Sequence, residues 1–452
     1  MKKSIMILIV IFPIVLLYAS EEKIHFDGLR YVGTIEKTFE VEDGGKLTMK
    51  DIAGDVSVIG EARNNVVITE KYRVNAYSES SAEKILMSEK AKFVQKGNTI
   101  IVESRDKSRR YDSKFIVKTP NIFDVKIGAS GSDLDVQSIS GKVELKTSGG
   151  DIDIVDIKGE AVIKTSGGDV SATKCTGDVS LTTSGGDIDV HHIEGNLYTN
   201  TSGGDINVQY VNGNGELKTS GGDIDISNVT GEEFTARTSG GDIGVDEMKA
   251  KVSLYTAGGD IIVGDVQGDI KLHTSGGNIK IKKAGRYLDA STSGGDVYVK
   301  EVAGACKLQT SGGDIEIGEA LDDVDANTSG GDIIISSAVG AIYTHTSGGN
   351  VEAKKILKKG IKDNSIEIGS SGGDILICIP DNMKADVDAE IKITDRWKDN
   401  EIRSDFPLKI ERTKKGSKTF ITGLGKINGG GDLIKLRTRN GNIKIRKIFE
   451  KK

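Results

Sequence analysis

The sequence predicts an all-β protein: a right-handed parallel β-solenoid (β-helix) of 18-residue, two-strand coils, with one short helix near its N-terminal end. Three observations carry this. The tetrad Ser-Gly-Gly-Asp, or a close variant, recurs with its first glycine at Gly149, Gly167, Gly185, Gly203, Gly221, Gly240, Gly258, Gly276, Gly294, Gly312, Gly330 and Gly348, and ten of the eleven intervals are 18 residues. Within each repeat the apolar residues alternate, as Ile152 and Ile154, then Ile157, then Ala161 and Ile163, which is the pattern of short strands with one face inward. Glycine is abundant, 58 residues, and proline scarce, 4, so the chain turns often and without proline-rich linkers.

A single 18-mer cannot bury enough apolar surface to offset the entropy of ordering it, so stacking on its neighbours must supply the rest. Strand–crossover–strand connections set the expected winding as right-handed. The one 19-residue interval has its extra residue near Gly231 and Glu232, at a turn, where a bulge costs least. Weaker copies of the tetrad flank the array, Ser130-Gly131-Ser132-Asp133 before it and Ser371-Gly372-Gly373-Asp374 after it, the latter displaced by a six-residue insertion near 358–364.

The same rhythm appears in Gly45, Leu47, Met49, Ile52, Gly54, Val56 and Val58, and again in Ile434, Leu436, Thr438 and Ile443, so the solenoid is expected from near residue 35 to near 448. Between them Ser80 and Glu83 read as a capping box, with Ile85, Leu86, Ala91 and Val94 as the apolar face of one helix. Residues 379–430 are less regular and more charged, and are expected to cover the far end against edge-to-edge association. The expected organisation is a signal peptide at 1–20, a solenoid start with the helix at 21–128, the main array at 129–378 and a closing cap at 379–452. The signal rests on Met1-Lys2-Lys3 followed by an apolar run over residues 5–17 and Ala19-Ser20; left uncleaved, that run would be the one expected link to a membrane.

The repeated polar residues invite functional readings. A threonine column (Thr147, Thr165, Thr183 and their successors) has the parity of the core residues, which argues for a buried hydroxyl ladder and against an outward ice-binding array. An aspartate column follows Gly-Gly at Asp151, Asp169, Asp187, Asp205, Asp223, Asp242, Asp260, Asp296, Asp314 and Asp332, with Asn278 and Asn350 completing it. Carboxylates about 4.8 Å apart repel by roughly 0.9 kcal/mol per neighbouring pair in bulk water. Calcium would offset this, and so would capping, in which each carboxylate accepts backbone N–H groups. The two asparagines favour capping, and Asp directly after Gly-Gly does not match the calcium-binding β-roll nonapeptide. The Gly-Gly pair itself requires either positive φ or a close backbone approach.

Other chemistry is sparse. Cys175, Cys306 and Cys378 are too few and too far apart for a disulfide framework; the first two stand where other repeats have Ile or Val, as buried small hydrophobes. His273 and His345 are equivalent but four coils apart, and His191-His192 adjoin near a turn, so neither pair reads as a site. No catalytic constellation, cofactor loop or metal spacing stands out, and a net charge of -6 excludes the basic excess of a nucleic-acid binder.

The repeat Thr-Ser-Gly-Gly-Asp-Ile-x-Ile, preceded by Lys118-Thr119-Pro120-Asn121 and followed by Ile379-Pro380-Asp381, resembles the bacterial DUF4097 family of adhesin-like proteins. So does the ending Gly425-Lys426-Ile427-Asn428-Gly429-Gly430-Gly431 and Arg439-Asn440-Gly441-Asn442-Ile443. The resemblance covers nearly everything from residue 35 onward and implies a β-solenoid at the cell envelope or surface, with no catalytic residues. The expectation is therefore an exported, non-enzymatic adhesin-like or envelope-interaction protein, at the cell surface, extracellular or periplasmic, with a protein or glycan partner and no cofactor. A periplasmic scaffold is the alternative reading, and a polysaccharide-active β-helix enzyme a more distant one.

Overall fold

The computed structural model describes residues 19–21, 24–104, 110–395 and 399–449; the apolar run at 5–17 lies outside them. Among the described residues strand predominates and there is one helix; the chain forms two compact units, Met1–Thr182 and Thr183–Lys452.

In the first unit two rows of strands run side by side. One row begins antiparallel, Tyr31–Glu40 on Asn65–Val74 on Tyr111–Pro120, and then turns parallel through Val56–Glu61, Leu134–Ser140, Ile152–Lys158 and Val170–Thr176. The other begins with Lys92–Lys96 antiparallel to Thr99–Glu103 and continues parallel through Gly45–Ile52, Phe123–Ala129, Val143–Lys146, Ala161–Lys164 and Val179–Thr182. Parallel pairing thus starts at Gly45–Ile52, and the strands on either side of the helix close the end with antiparallel pairs.

The helix, Glu79–Glu89, is present but capped differently from expectation. Ser78 has the extended backbone of an N-cap (φ -151, ψ 158) and its side chain accepts the N–H of Ser81. Ser80 therefore lies inside the first turn, and Glu83 falls two residues beyond the position, Ser81, that could close a capping box on Ser78. Ala91 lies beyond the helix end, and Val94 belongs to the strand Lys92–Lys96, so neither is on the helix face. The helix sets Ala82, Ile85 and Leu86 against Ile24, Ile35, Tyr72, Val74 and Tyr111.

The second unit repeats the same plan. Residues pair in parallel with partners 18 positions along, as Ile188 with Ile206 and Leu197 with Gly215. The 19-residue repeat is absorbed by a register shift between Thr230 and Glu233, at the predicted turn. The six-residue insertion moves the partner of Ile342 to Ile366 without breaking the ladder. At the C-terminal end, Asp432–Arg439 pairs parallel with both Ile366–Ser370 and Ala385–Ile393; Lys418–Ile427 and Lys409–Lys415 then add antiparallel. Lys409–Lys415 is exposed along its whole length, and its lysines and Arg412 mark it as a charged edge strand. No helix among the described residues is long and apolar enough to cross a membrane.

The core is the stack of inward residues, such as Ile188, Val190, Ile193 and Leu197, all essentially inaccessible. Cys175 and Cys306 lie in it, and burial pushes their thiols up, to about 11 and about 12. Val190 and Ile193 are three residues apart yet both face inward. A left-handed residue between them reverses the parity: His192 here, and Ser138, Asp156, Lys174, Tyr210, Asn228 and Glu247 in other repeats. From the repeat at Ile261 onward this position no longer has positive φ.

The Gly-Gly corner is explained by contact and not by φ, since neither glycine of the pair has a positive value. A Cβ on Gly222 would lie 2.0 Å from the carbonyl oxygen of Gly204, whereas one on the exposed Gly221 would stand 3.5 Å from that of Gly203. The two glycines should therefore separate in mutagenesis. Gly222→Ala is predicted to destabilise the protein by about 2 kcal/mol or more, since the backbones must move apart. Gly221→Ala should be neutral to about 1 kcal/mol stabilising, because it only stiffens the unfolded chain. Thermal and denaturant melts of the two variants check the pair.

Candidate functional site

Along the second unit the Gly-Gly-Asp corners are built from three interlocking hydrogen bonds. The buried Thr219 hydroxyl donates to the carbonyl of Gly204, in the preceding repeat, at 2.9 Å, and accepts the N–H of Gly222 in its own corner at 3.3 Å. The same two bonds recur at Thr201, Thr238, Thr256, Thr274 and Thr292. The threonine column thus faces inward and its hydroxyls are consumed by the corner.

The aspartates form the third bond. Asp205 Oδ1 accepts the backbone N–H of Asp223 at 2.8 Å, and Asp223 Oδ1 that of Asp242 at 2.7 Å. The chain of bonds in the second unit runs from Asp187 through Asp260, Asn278, Asp296, Asp314, Asp332 and Asn350 to Asp374. In the first unit it links Asp133, Asp151 and Asp169. The carboxylate does accept backbone N–H groups, but from the next repeat and not from its own turn. The asparagines serve equally because only one oxygen is used. One position further out, Asp153 and Asp225 are held above the usual carboxylate range, first by burial and then by the neighbouring aspartates.

The histidines are scattered as the spacing implies. His273 Nδ1 lies 2.9 Å from Ser291 Oγ. His191 and His192 face each other at 2.7 Å between Nδ1 atoms, with His192 stacked on Tyr210. No group of three or more His, Cys, Asp or Glu side chains suited to a metal ion occurs among the described residues.

Two features escape the repeat pattern. A one-residue register shift sets Lys355 opposite Ala338 and turns it fully inward, where its Nζ donates to the carbonyls of Val339 and Gly340. Burial lowers its pKa to about 8, against the pull of Asp323, Asp363 and Asp432.

The second is a cleft of about 430 Å³ near the C-terminal end of the second unit. It lies on the outer face, where the insertion and the closing strands interrupt the array. In the outward row Asn327, His345, Gly369, Arg437 and Glu390 are successive strand neighbours. Gly369 has no side chain, and a Cβ there would lie 2.6 Å from His345 Nδ1, so the imidazole leans into the gap. In the adjacent row Lys435 bonds Glu367 at 2.7 Å and Arg437 reaches across to Asp388 at 2.5 Å. The insertion contributes Asp363, which accepts the hydroxyl of the exposed Tyr343 at 3.3 Å. The sequence signal for this cleft was a glycine in an outward strand position beside a cationic, irregular segment.

The fold is thus a parallel β-repeat, solenoid-like stack whose surface chemistry concentrates where the repeat is interrupted. The model of the Toastrack DUF4097 family matches residues 40–218, 196–329 and 269–446, and the chain belongs to that family. Among solved structures, a candidate adhesin from Bacteroides fragilis is 15% identical, covering 69% of this chain and 96% of its own, with a TM-score of 0.20. A candidate cell-adhesion protein from Clostridium sporogenes is 9% identical, covering 91% and 99%, with a TM-score of 0.15. No curated protein sequence matches the chain.

The corner geometry predicts the behaviour of the acidic column. Asp223→Asn should leave stability unchanged or slightly raised, since the acceptor stays and repulsion falls; Asp223→Ala should cost about 1 kcal/mol through the lost bond to the Asp242 N–H. The melting temperature should be the same in calcium and in chelator. A rise of several degrees with calcium would assign the column to metal binding.

Proposed function

We propose that this protein is an exported, non-enzymatic β-solenoid, wound right-handed in 18-residue coils, that serves as an adhesin-like or cell-envelope interaction surface for a protein or glycan partner. One observation carries the reading. The threonine hydroxyls and one oxygen of each column aspartate are committed to the corners. What remains for recognition is the exposed strand faces and the cleft, where charged groups stand without partners. Membership of the DUF4097 family is consistent with a scaffold of this kind. Export rests on the basic start, Lys2 and Lys3, and the apolar run that follows.

Protease shaving of intact cells, with immunodetection of this chain and of a periplasmic control, tests the location. Degradation of the chain while the control survives is expected. Protection until the envelope is opened would replace the adhesin-like role with that of a periplasmic scaffold.

A further inference from the structure

The charges lining the C-terminal cleft of the second unit do not cancel. Two of its cations, Lys435 and Arg437, have carboxylate partners. The other two, Lys392 and Arg439, make no ion pair among the described residues, yet they are direct strand neighbours in the register of Ala385–Ile393 on Asp432–Arg439. Like charges directly opposite one another destabilise a sheet. Here they sit together in a protein whose net charge is -6, at the rim of a concave surface that focuses their field.

The rest of the lining is not that of a simple ion site. Tyr343 is 40% exposed, and its hydroxyl is tethered to Asp363, which holds the ring at the cleft as an apolar platform. Glu390, Asn327 and the His345 imidazole offer acceptors and donors around the floor left open by Gly369. A flat apolar ring, several neutral or acidic hydrogen-bonding groups and two unneutralised cations complement a polyhydroxylated ring that carries one carboxylate. The volume, about 430 Å³, falls within the range of small-ligand clefts.

We propose that this cleft is a binding subsite for a short run of an acidic polysaccharide, with Arg439 and Lys392 taking the carboxylate of one uronate unit, Tyr343 packing on the face of another sugar, and Glu390 and Asn327, at opposite ends of their row, bonding hydroxyls of different units. The proposal rests on the binding-surface reading above and supplies its ligand class. The glycan is held and not cleaved.

Calorimetric titration of the full chain with trigalacturonate tests it, beside the methyl-esterified trisaccharide and inorganic phosphate. Binding of the trisaccharide is expected. It should weaken about tenfold or more in Lys392→Gln and in Arg439→Gln, as befits hydrogen bonds to a charged group. It should fall similarly for the methyl ester, and Tyr343→Ala should weaken it several-fold. Lys280→Gln, on the other strand row, should leave binding unchanged, and no variant should melt well below the parent, with Lys392→Gln and Arg439→Gln melting at or slightly above it because they relieve the opposed charges. Equal binding of ester and acid, phosphate binding as tight as the trisaccharide, equal loss in Lys280→Gln, or no binding at all would each overturn the proposal. None of these results alters the outcome of protease shaving, so the subsite and the surface location fail separately.

Discussion

At each corner the second glycine passes so close over the glycine of the preceding repeat that a methyl group has no room, 2.0–2.1 Å from a carbonyl oxygen along the second unit. This approach is what the other regularities depend on. It brings the threonine hydroxyl within reach of the preceding glycine carbonyl, and the preceding carboxylate within reach of the next aspartate N–H. Buried backbone groups at a corner must find partners, and here side chains from two columns supply them repeat after repeat. With corners fixed in this way, the strands between them stay in register, and within each unit apolar residues 18 apart stack into its core.

The corner also decides where function can sit. One oxygen of each corner carboxylate is committed to a backbone N–H, and each corner threonine both donates and accepts inside the corner. In the proposed reading, recognition falls to the outward strand positions, whose residues vary from repeat to repeat, and to the interruptions. The cleft beside Gly369 arises because the insertion before Ile366 and the closing strands bring non-equivalent residues side by side. The periodic part of the chain builds the scaffold, and the aperiodic part differentiates it.

The periodic part was legible in the sequence because each physical demand recurs at fixed spacing. Strand positions, the inward threonines, the buried Cys175 and Cys306, the bulge near Glu232 and the displacement by the insertion could all be read from alternation and interval. What could not be read depends on contacts between unlike repeats. The glycine requirement left two explanations open, and only the backbone geometry shows contact where positive φ was equally plausible from composition. The direction of the aspartate bonds, to the next repeat instead of the same turn, needs the stacking distance. The helix cap moved from Ser80 to Ser78 because tertiary packing of Ala82 sets the helix phase. Lys355 turned inward through a one-residue shift that no local pattern announces. Lys392 and Arg439 lie 47 residues apart in sequence and meet only through strand order.

Native-state hydrogen exchange at the corner amides tests most directly whether the carboxylate–backbone bonds hold the stack. The N–H groups of Asp205, Asp223 and Asp242 belong to exposed residues, yet each is bonded to the repeat before it. They are predicted to be protected to the same degree as the strand amides of Ile206 and Ile224, and to lose that protection together with them. Exchange of the aspartate amides at the rate of an open loop, with the strands still protected, would show that the corners are solvated turns and that the strand ladders alone carry the fold.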